Sequence, residues 1–102
     1  MKKLILYAEV VNDLRSIYDF IAADNPKAAT KLIHKFYEQF ENLQAFPSMG
    51  SSVQKRVSRK TDYRYLVYNE YLIFYKDCPE HIAVYRILNR YRDIFSILFD
   101  KK

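Results

Sequence analysis

The sequence contains few of the residues that make chains flexible or cross-link them covalently. Its 102 residues include one glycine, three prolines, one cysteine and no tryptophan. With so little glycine and proline, long flexible linkers and low-complexity tracts are not expected. The lone cysteine, Cys78, excludes an internal disulfide and favours a reducing cytoplasm as the location. No apolar run is long enough for a signal peptide or a membrane-spanning helix, so no membrane partner is expected.

The motifs of the commoner small enzymes are missing as well. There is no glycine-rich phosphate loop, no paired-carboxylate arrangement and no nucleophile elbow. The two histidines, His34 and His81, have no second ligand at metal-binding spacing. Cys78 has no activating base near it in the sequence and is expected to be inert. The sequence therefore predicts no metal site and no small-molecule cofactor.

Apolar residues make up 50% of the chain, which is enough for one compact domain over residues 1–102. The net charge of +5 lies entirely in the second half of the chain. Residues 1–50 carry six basic and six acidic side chains, whereas residues 51–102 carry eleven basic and six acidic ones. A soluble basic surface accounts for many such excesses. Its concentration in one half nevertheless favours an anionic partner, either nucleic acid, a nucleoprotein or an acidic protein.

The spacing of apolar residues predicts a strand followed by two helices. Residues 3–8 form a short apolar run that is typical of a strand. Apolar residues then recur at three- and four-residue spacing over 10–23, which predicts a helix. A second helix of about five turns is expected after Asn25, which can cap it, and it should stop at Phe46-Pro47. Because the joint between the helices is short, we expect an antiparallel helix hairpin.

The second half predicts a sheet. Residues 48–61 are polar and basic, and we expect a loop or at most an edge strand there. Three strands should follow, over residues 63–68, 71–76 and 81–88. Asn69-Glu70 is a two-residue hairpin turn, residues 71–75 are apolar on both faces, and residues 93–99 form a short helix or an extended segment. The order β-α-α-β-β-β, with this possible short final helix, predicts an α+β domain in which the helix hairpin packs on one face of an antiparallel sheet.

Arg86 is the first candidate for a functional residue. It lies in phase with Ile82, Val84 and Leu88 along one face of the last predicted strand. A charge on such a face needs either a partner, such as a buried carboxylate or backbone carbonyls, or a functional reason. In the functional interpretation its guanidinium binds phosphate, which the bidentate geometry of arginine favours.

Further basic residues lie on either side of the predicted strands. Arg90 and Arg92 follow the last strand with Tyr91 between them, a pattern that suits a surface for phosphates and bases. Asp93 could equally hold either arginine in an ion pair. A denser basic run contains Lys55, Arg56, Arg59, Lys60 and Arg64. This run is either a solvated loop or a surface that attracts an anionic partner.

Three segments of the chain, taken in order, resemble one superfamily. Residues 13–50 resemble the helix hairpin of the ParE branch, with the joint DNPxAA and the closing FPxxG. Residues 63–77 and 82–94 resemble its sheet, with the strand YLIFY and the ending R-I-L-x-x-x-R-D. Over nearly its whole length the chain thus resembles the RelE/ParE superfamily of bacterial type II toxins. The resemblance implies this fold and, as partner, a cognate antitoxin that lays an acidic or amphipathic segment along the basic sheet or the helix hairpin.

The resemblance leaves two activities open. RelE-type members cleave messenger RNA in the ribosome without a metal, whereas ParE-type members poison DNA gyrase. RelE-type members commonly carry an arginine in a strand that reads R-L-V-Y, and here Leu72 takes its place. Leu88 and Asn89 stand where some nucleases carry His or Tyr. Losing one charge-stabilising donor typically costs about 3–4 kcal/mol of barrier, so the sequence favours the ParE side.

We therefore expect a gyrase inhibitor in which Arg86, Arg90 and Arg92 serve target contact or the fold. In the alternative, a ribosome-dependent messenger-RNA endonuclease, the catalytic residues would be Arg86, Arg90, Tyr91 and Arg92. Lys55 or Arg56 would then be further phosphate contacts. A third possibility is an inactive relative that is retained only to bind the antitoxin.

Overall fold

The computed structural model describes residues 1–91 and residue 95. Its helices and strands are β1 (Lys3–Leu6), α1 (Ala8–Ala22), α2 (Pro26–Ala45), β2 (Ser51–Ser52), β3 (Arg64–Tyr68), β4 (Tyr71–Asp77) and β5 (His81–Asn89). Two short 3₁₀ turns, Pro47–Met49 and Val53–Lys55, flank β2. The expected order of elements is confirmed, with β2 as a minimal edge strand. The segment expected over residues 93–99 lies outside the described residues except for Phe95.

The five strands form one mixed sheet in the order β1-β5-β4-β3-β2. Strands β2 to β5 pair antiparallel, and the α+β fold with a helix hairpin on one face is confirmed. The expectation of an antiparallel sheet is wrong for β1, which runs parallel to β5 with Lys3 opposite His81 and Leu6 opposite Val84. A parallel pair needs a long crossover, and here the helices and three strands supply it. Nothing in the short run of β1 indicates its direction relative to a strand so distant in sequence.

The start of α2 follows the expected capping chemistry. The Asn25 side-chain oxygen accepts a hydrogen bond from the Ala28 N–H at 3.1 Å, and Pro26 occupies the first helical position. The helix ends at Ala45 because Phe46 leaves the helical conformation, with φ −133° and ψ 75°. These local signals set the length of the hairpin that covers the sheet.

Strand β4 is buried on both faces, as its sequence predicts. On the helix side, apolar residues of α1 and α2 pack against the sheet in a core formed by Val10, Leu14, Phe36, Phe40, Leu43, Ile73, Tyr75, Ile82, Val84 and Ile87. On the opposite side of the sheet lies a second apolar group, which we call the outer cluster. Its buried members are Val53, Leu72 and Phe74, and its half-buried members are Val57, Tyr63, Tyr65, Tyr85, Leu88 and Phe95.

A register shift between β4 and β5 changes which β5 residues face the helices. Tyr75 lies opposite Val84, but its neighbour Phe74 lies opposite Arg86, so β5 carries one extra residue, Tyr85. Such a bulge reverses the alternation of faces along the strand. Beyond it Ile87 joins the helix-side core and Leu88 joins the outer cluster. The expectation that Arg86 and Leu88 are in phase with Ile82 and Val84 is therefore wrong.

Candidate functional site

Arg86 forms a two-point ion pair with a helix residue. Its Nε and Nη2 donate to the Asp13 carboxylate of α1 at 2.9 and 3.0 Å. The hydrogen-bonded Asp13 raises the pKa of Arg86 above its ordinary value. Of the two interpretations open for Arg86, the structure therefore contains the carboxylate partner, and the guanidinium fork that would hold phosphate is occupied.

Asp13 also completes the edge of the sheet. Strand β1 ends at Leu6, and beyond it the Ile87 N–H on the edge of β5 has no strand partner. The Asp13 Oδ2 accepts that N–H at 2.9 Å. A buried amide without an acceptor would be costly, so one carboxylate satisfies both a charge and the backbone. This role of Asp13 was not predicted, because its only signal in the sequence is its position beside the apolar stripe of α1.

Arg64 fastens the turn that follows α2. Its Nη2 donates to the carbonyl oxygens of Ser48, at 3.1 Å, and of Gly50, and its Nε donates to the Tyr75 hydroxyl at 3.3 Å. The same hydroxyl donates to the Pro47 carbonyl at 2.6 Å and accepts from the Gly50 N–H at 3.0 Å. Arg64 thus uses its Nε and Nη2 donors within the fold.

Gly50 makes this arrangement possible. A Cβ at this position would lie 2.5 Å from the Tyr65 carbonyl oxygen and 2.7 Å from the Tyr75 hydroxyl oxygen. Only a residue without a side chain lets the turn approach β3 and β4 so closely. This packing explains the glycine that closes the FPxxG motif.

The other members of the basic run lie in a loop that we call the basic loop, residues 54–61. Lys55, Arg56, Arg59 and Lys60 are all exposed there. Gln54 holds the loop together: its Nε2 donates to the Arg59 carbonyl at 3.1 Å, and its Oε1 accepts from the Thr61 N–H at 2.9 Å. No pattern in the sequence indicates this organising role of Gln54.

Arg56 has a defined position on the aromatic part of the outer cluster. Its guanidinium carbon lies 4.4 Å from the centroid of the Phe95 ring, and its Nη1 lies 3.4 Å from the Tyr65 hydroxyl oxygen. Such a cation–π contact holds the guanidinium of Arg56 against the ring at the surface. The basic loop therefore sits on the side of the sheet that faces away from the helices.

Arg90 and Tyr91 lie together at the end of β5. The Arg90 Nη1 donates to the Asn69 carbonyl at 3.3 Å, and the backbone N–H of Arg90 donates to the Glu70 carbonyl at 2.8 Å. The guanidinium carbon is 5.7 Å from the centroid of the Tyr91 ring, which is 76% exposed. Arg92 lies outside the described residues. Arg90 and Tyr91 are thus adjacent and accessible just after the C-terminal end of β5.

The position that favours ParE over RelE lies in an apolar environment. Leu72 is 4% exposed and packs with Val53 and Phe74 in the outer cluster. No cation could stand there without losing its hydration.

Tyr63, a half-buried member of the outer cluster, has a raised pKa. Burial and a hydrogen bond with Tyr7 raise the pKa of Tyr63 to about 12, so its phenol stays protonated near neutral pH.

A shallow apolar groove runs between the helices on the solvent side of the hairpin. We call it the helix groove; it has a volume of about 310 Å³ and is lined by Val11, Leu14, Arg15, Tyr18, Ile33 and Tyr37. Val11, Tyr18 and Tyr37 are 45%, 36% and 44% exposed. The adjoining surface of α2 adds Glu38 and Glu41. The groove thus combines exposed apolar side chains with charges of both signs at its border.

The described residues contain neither a metal-binding cluster nor a membrane-spanning helix. Among residues 1–91 and 95, no group of three histidine, cysteine, aspartate or glutamate side chains is placed to hold a metal ion. Within the same part of the chain, no helix has both the length and the apolar character needed to cross a membrane.

Comparisons with known proteins bear on the fold and the family of this chain. A comparison with curated proteins finds no match. The fold is similar to that of a chain in the chromosomal ParDE TA system from P. aeruginosa, with a TM-score of 0.69 and 22% identity over 87% of this chain and 96% of that one. At this identity the likeness concerns the fold alone. The family described as ParE toxin of type II toxin-antitoxin system, parDE, matches residues 4–94. Because that match spans most of the sequence, the chain belongs to the ParE toxin family.

Proposed function

We propose that the protein is a cytoplasmic toxin that inhibits growth by poisoning DNA gyrase and is neutralised by a cognate antitoxin. The observation that carries this proposal is the burial of Leu72 at the sheet position where RelE-type toxins commonly carry an arginine. The surrounding outer cluster leaves this face of the sheet apolar and covered by the chain's own side chains.

The chemical requirements of RNA cleavage argue against a nuclease site on this face of the sheet. Cleavage of RNA by the 2′-hydroxyl needs cations positioned on the charge that develops at the phosphate. Arg86 donates its Nε and Nη2 to Asp13, and Arg64 donates its Nη2 to the turn after α2 and its Nε to the Tyr75 hydroxyl. With these two guanidinium groups engaged in the fold, a binding function suits the surface better than catalysis.

The helix groove suits the antitoxin. An amphipathic helix can lay apolar residues at helical spacing into a groove between two helices. The exposed Val11, Tyr18 and Tyr37 supply the apolar contacts, while Arg15 can pair with an acidic residue of the partner. We propose this groove as the place where the antitoxin's amphipathic segment docks.

The proposed target is tested with purified toxin and purified gyrase. We expect the toxin to block supercoiling of relaxed plasmid and to accumulate DNA cleaved by gyrase, and addition of the antitoxin should reverse both effects. Topoisomerase I serves as the control enzyme and should be unaffected. Gyrase that supercoils at its normal rate in excess toxin would reject the proposal.

The exposed Arg90–Tyr91 pair is the observation that favours the alternative, a ribosome-dependent messenger-RNA endonuclease. Under that alternative, primer extension on translated message should show new cuts in codon register after toxin induction. We expect intact message. Codon-positioned cuts that disappear in Arg90→Ala would favour the nuclease instead, and absence of growth arrest would favour an inactive antitoxin-binding relative.

A further inference from the structure

The basic loop concentrates positive charge that no acid within it offsets. Four cations, Lys55, Arg56, Arg59 and Lys60, are exposed within six consecutive positions, and residues 51–61 contain no aspartate or glutamate. The first acid that follows, Asp62, lies 3.4 Å from the ammonium group of Lys76 in β4. The loop therefore presents a local positive potential to any anion that approaches this side of the sheet.

The loop is also ordered before any partner arrives. The Gln54 side chain bonds the carbonyls of Val57, at 3.4 Å, and Arg59, at 3.1 Å, as well as the Thr61 N–H at 2.9 Å. The Ser52 hydroxyl accepts the Gln54 N–H at 3.2 Å, and the half-buried Val57 anchors the loop in the outer cluster. A solvated charge run needs none of these bonds. Prior order reduces the conformational entropy that is lost on binding.

The surface of the loop suits phosphate groups better than a protein. Among the described residues, none of the exposed large apolar side chains lies between Met49 and Val67. Protein–protein interfaces bury an apolar or aromatic centre, whereas contacts to a nucleic-acid backbone are made by lysine and arginine together with polar side chains and backbone N–H groups, and they need no apolar centre. The apolar contacts that a protein would need lie instead in the helix groove on the other layer.

A duplex fits this surface better than a single strand. Proteins that bind single strands stack the bases on exposed aromatic rings. The two rings that Arg56 contacts, Tyr65 and Phe95, pack edge to face at 4.9 Å between their centroids, and Arg56 lies over Phe95. Those faces are occupied, so the loop offers charge without a stacking platform.

We propose that the basic loop binds the phosphate backbone of duplex DNA without regard to sequence. Because it rests on the proposed function, this inference identifies the DNA as the segment held by gyrase. The loop then adds a direct contact between toxin and DNA to the contact between toxin and enzyme. Lys55, Arg56 and Lys60 make the phosphate contacts, and Gln54 is a positioning residue that acts through the loop backbone.

The experiment measures binding of the full-length toxin to a fluorescently labelled duplex of mixed sequence, in the absence of gyrase. Affinity is determined by anisotropy between about 50 and 200 mM KCl. The loop variant Lys55→Gln/Lys60→Gln is compared with Lys27→Gln/Lys31→Gln, which removes the same charge from exposed positions of α2. We expect the slope of log K against log salt to fall by about 1.8 in the loop variant, about 0.9 per lost phosphate contact, and to stay unchanged in the control.

A second variant, Gln54→Met, keeps every charge and removes the side-chain hydrogen bonds that order the loop. We expect its affinity for the duplex to fall several-fold while its salt slope stays near that of the wild type. Circular dichroism checks that each variant is folded. Unchanged affinity in Gln54→Met would overturn the role assigned to loop order.

Equal loss of duplex binding in the loop and control variants would overturn the proposal, since it would show only a general charge effect. Two further probes separate the partner classes. If the loop variant loses binding to a poly-glutamate peptide but keeps duplex binding, the partner is an acidic protein and not DNA. If it loses binding to single-stranded RNA more than binding to the duplex, the partner is single-stranded RNA. The duplex-binding assay contains no gyrase, so it tests the loop separately from the proposed function. A toxin that binds DNA through the loop but leaves supercoiling intact in the separate gyrase assay would reject the proposed function alone.

Discussion

At the residue scale, Asp13 connects the helix layer to the exposed edge of the sheet. Its carboxylate accepts three hydrogen bonds, two from Arg86 and one from the Ile87 N–H. The two side chains are 12% and 29% exposed, so water screens the pair only in part. Removing the carboxylate leaves a partly buried guanidinium and a backbone donor without partners.

We predict that Asp13→Ala lowers the free energy of unfolding by about 2–3 kcal/mol, because charged hydrogen bonds and an edge amide are lost together. Asp13→Asn should cost less, since its side-chain oxygen can still accept the Ile87 N–H. Urea denaturation monitored by circular dichroism measures both changes. The control is Asp19→Ala, an exposed position of the same helix, which should change stability by less than about 0.5 kcal/mol. If Asp13→Ala matched this control, the pair would have no stabilising role.

At the element scale, β4 belongs to two apolar layers at once. Ile73 and Tyr75 face the helices, while Leu72 and Phe74 face the outer cluster. Covering both faces is what makes the strand's sequence nearly continuous in apolar residues. It also buries Leu72 in the outer cluster, which is the observation behind the proposed binding function.

We therefore predict that Leu72→Arg does not create a nuclease but destabilises the protein by more than about 3 kcal/mol, because the charge has no partner in the outer cluster. Val67→Arg is the matched control. Val67 is the partner of Leu72 across β3 and β4, yet it is 46% exposed and can keep an arginine in water. Thermal unfolding distinguishes the two variants. A Leu72→Arg protein as stable as Val67→Arg would mean that this face accommodates a cation, which would reopen the nuclease interpretation.

At the scale of the whole molecule, the two proposed surfaces lie on different layers. The helix groove lies on the hairpin, whereas the basic loop is anchored in the outer cluster across the sheet. Their chemistry differs in the same way, with exposed apolar side chains in the groove and exposed cations in the loop. A toxin with separate surfaces can bind an antitoxin through one while it presents the other.

We predict that Tyr18→Asp in the groove weakens the complex with the co-expressed antitoxin at least tenfold and leaves duplex binding unchanged. Phe20→Asp is its control, because Phe20 is 81% exposed on the same helix but does not line the groove. The loop variant Lys55→Gln/Lys60→Gln should show the reverse pattern. Isothermal titration calorimetry with the antitoxin measures the first effect. Equal losses in Tyr18→Asp and Phe20→Asp would place the antitoxin elsewhere.

Much of the fold follows from local signals. The helical spacing of apolar residues, the Asn25 cap and the Asn69-Glu70 turn predict α1, α2 and the β3–β4 hairpin because each depends on residues a few positions apart. Asn69 adopts the positive φ of 53° that such a turn needs. The parallel direction of β1 and the bulge at Tyr85 could not be read in this way, since both are set by pairing between distant segments.

For the candidate site the division is similar. The sequence by itself determined the family resemblance, the basic second half and the leucine at position 72, because all three are properties of residue identity and order. Only the tertiary structure decided what those residues do: Arg86 is paired with Asp13, Arg64 is bonded to the turn after α2, and Lys55, Arg56, Arg59 and Lys60 are exposed on the basic loop. An arginine's role depends on which acceptor lies within reach of its guanidinium, and packing between distant elements sets that distance.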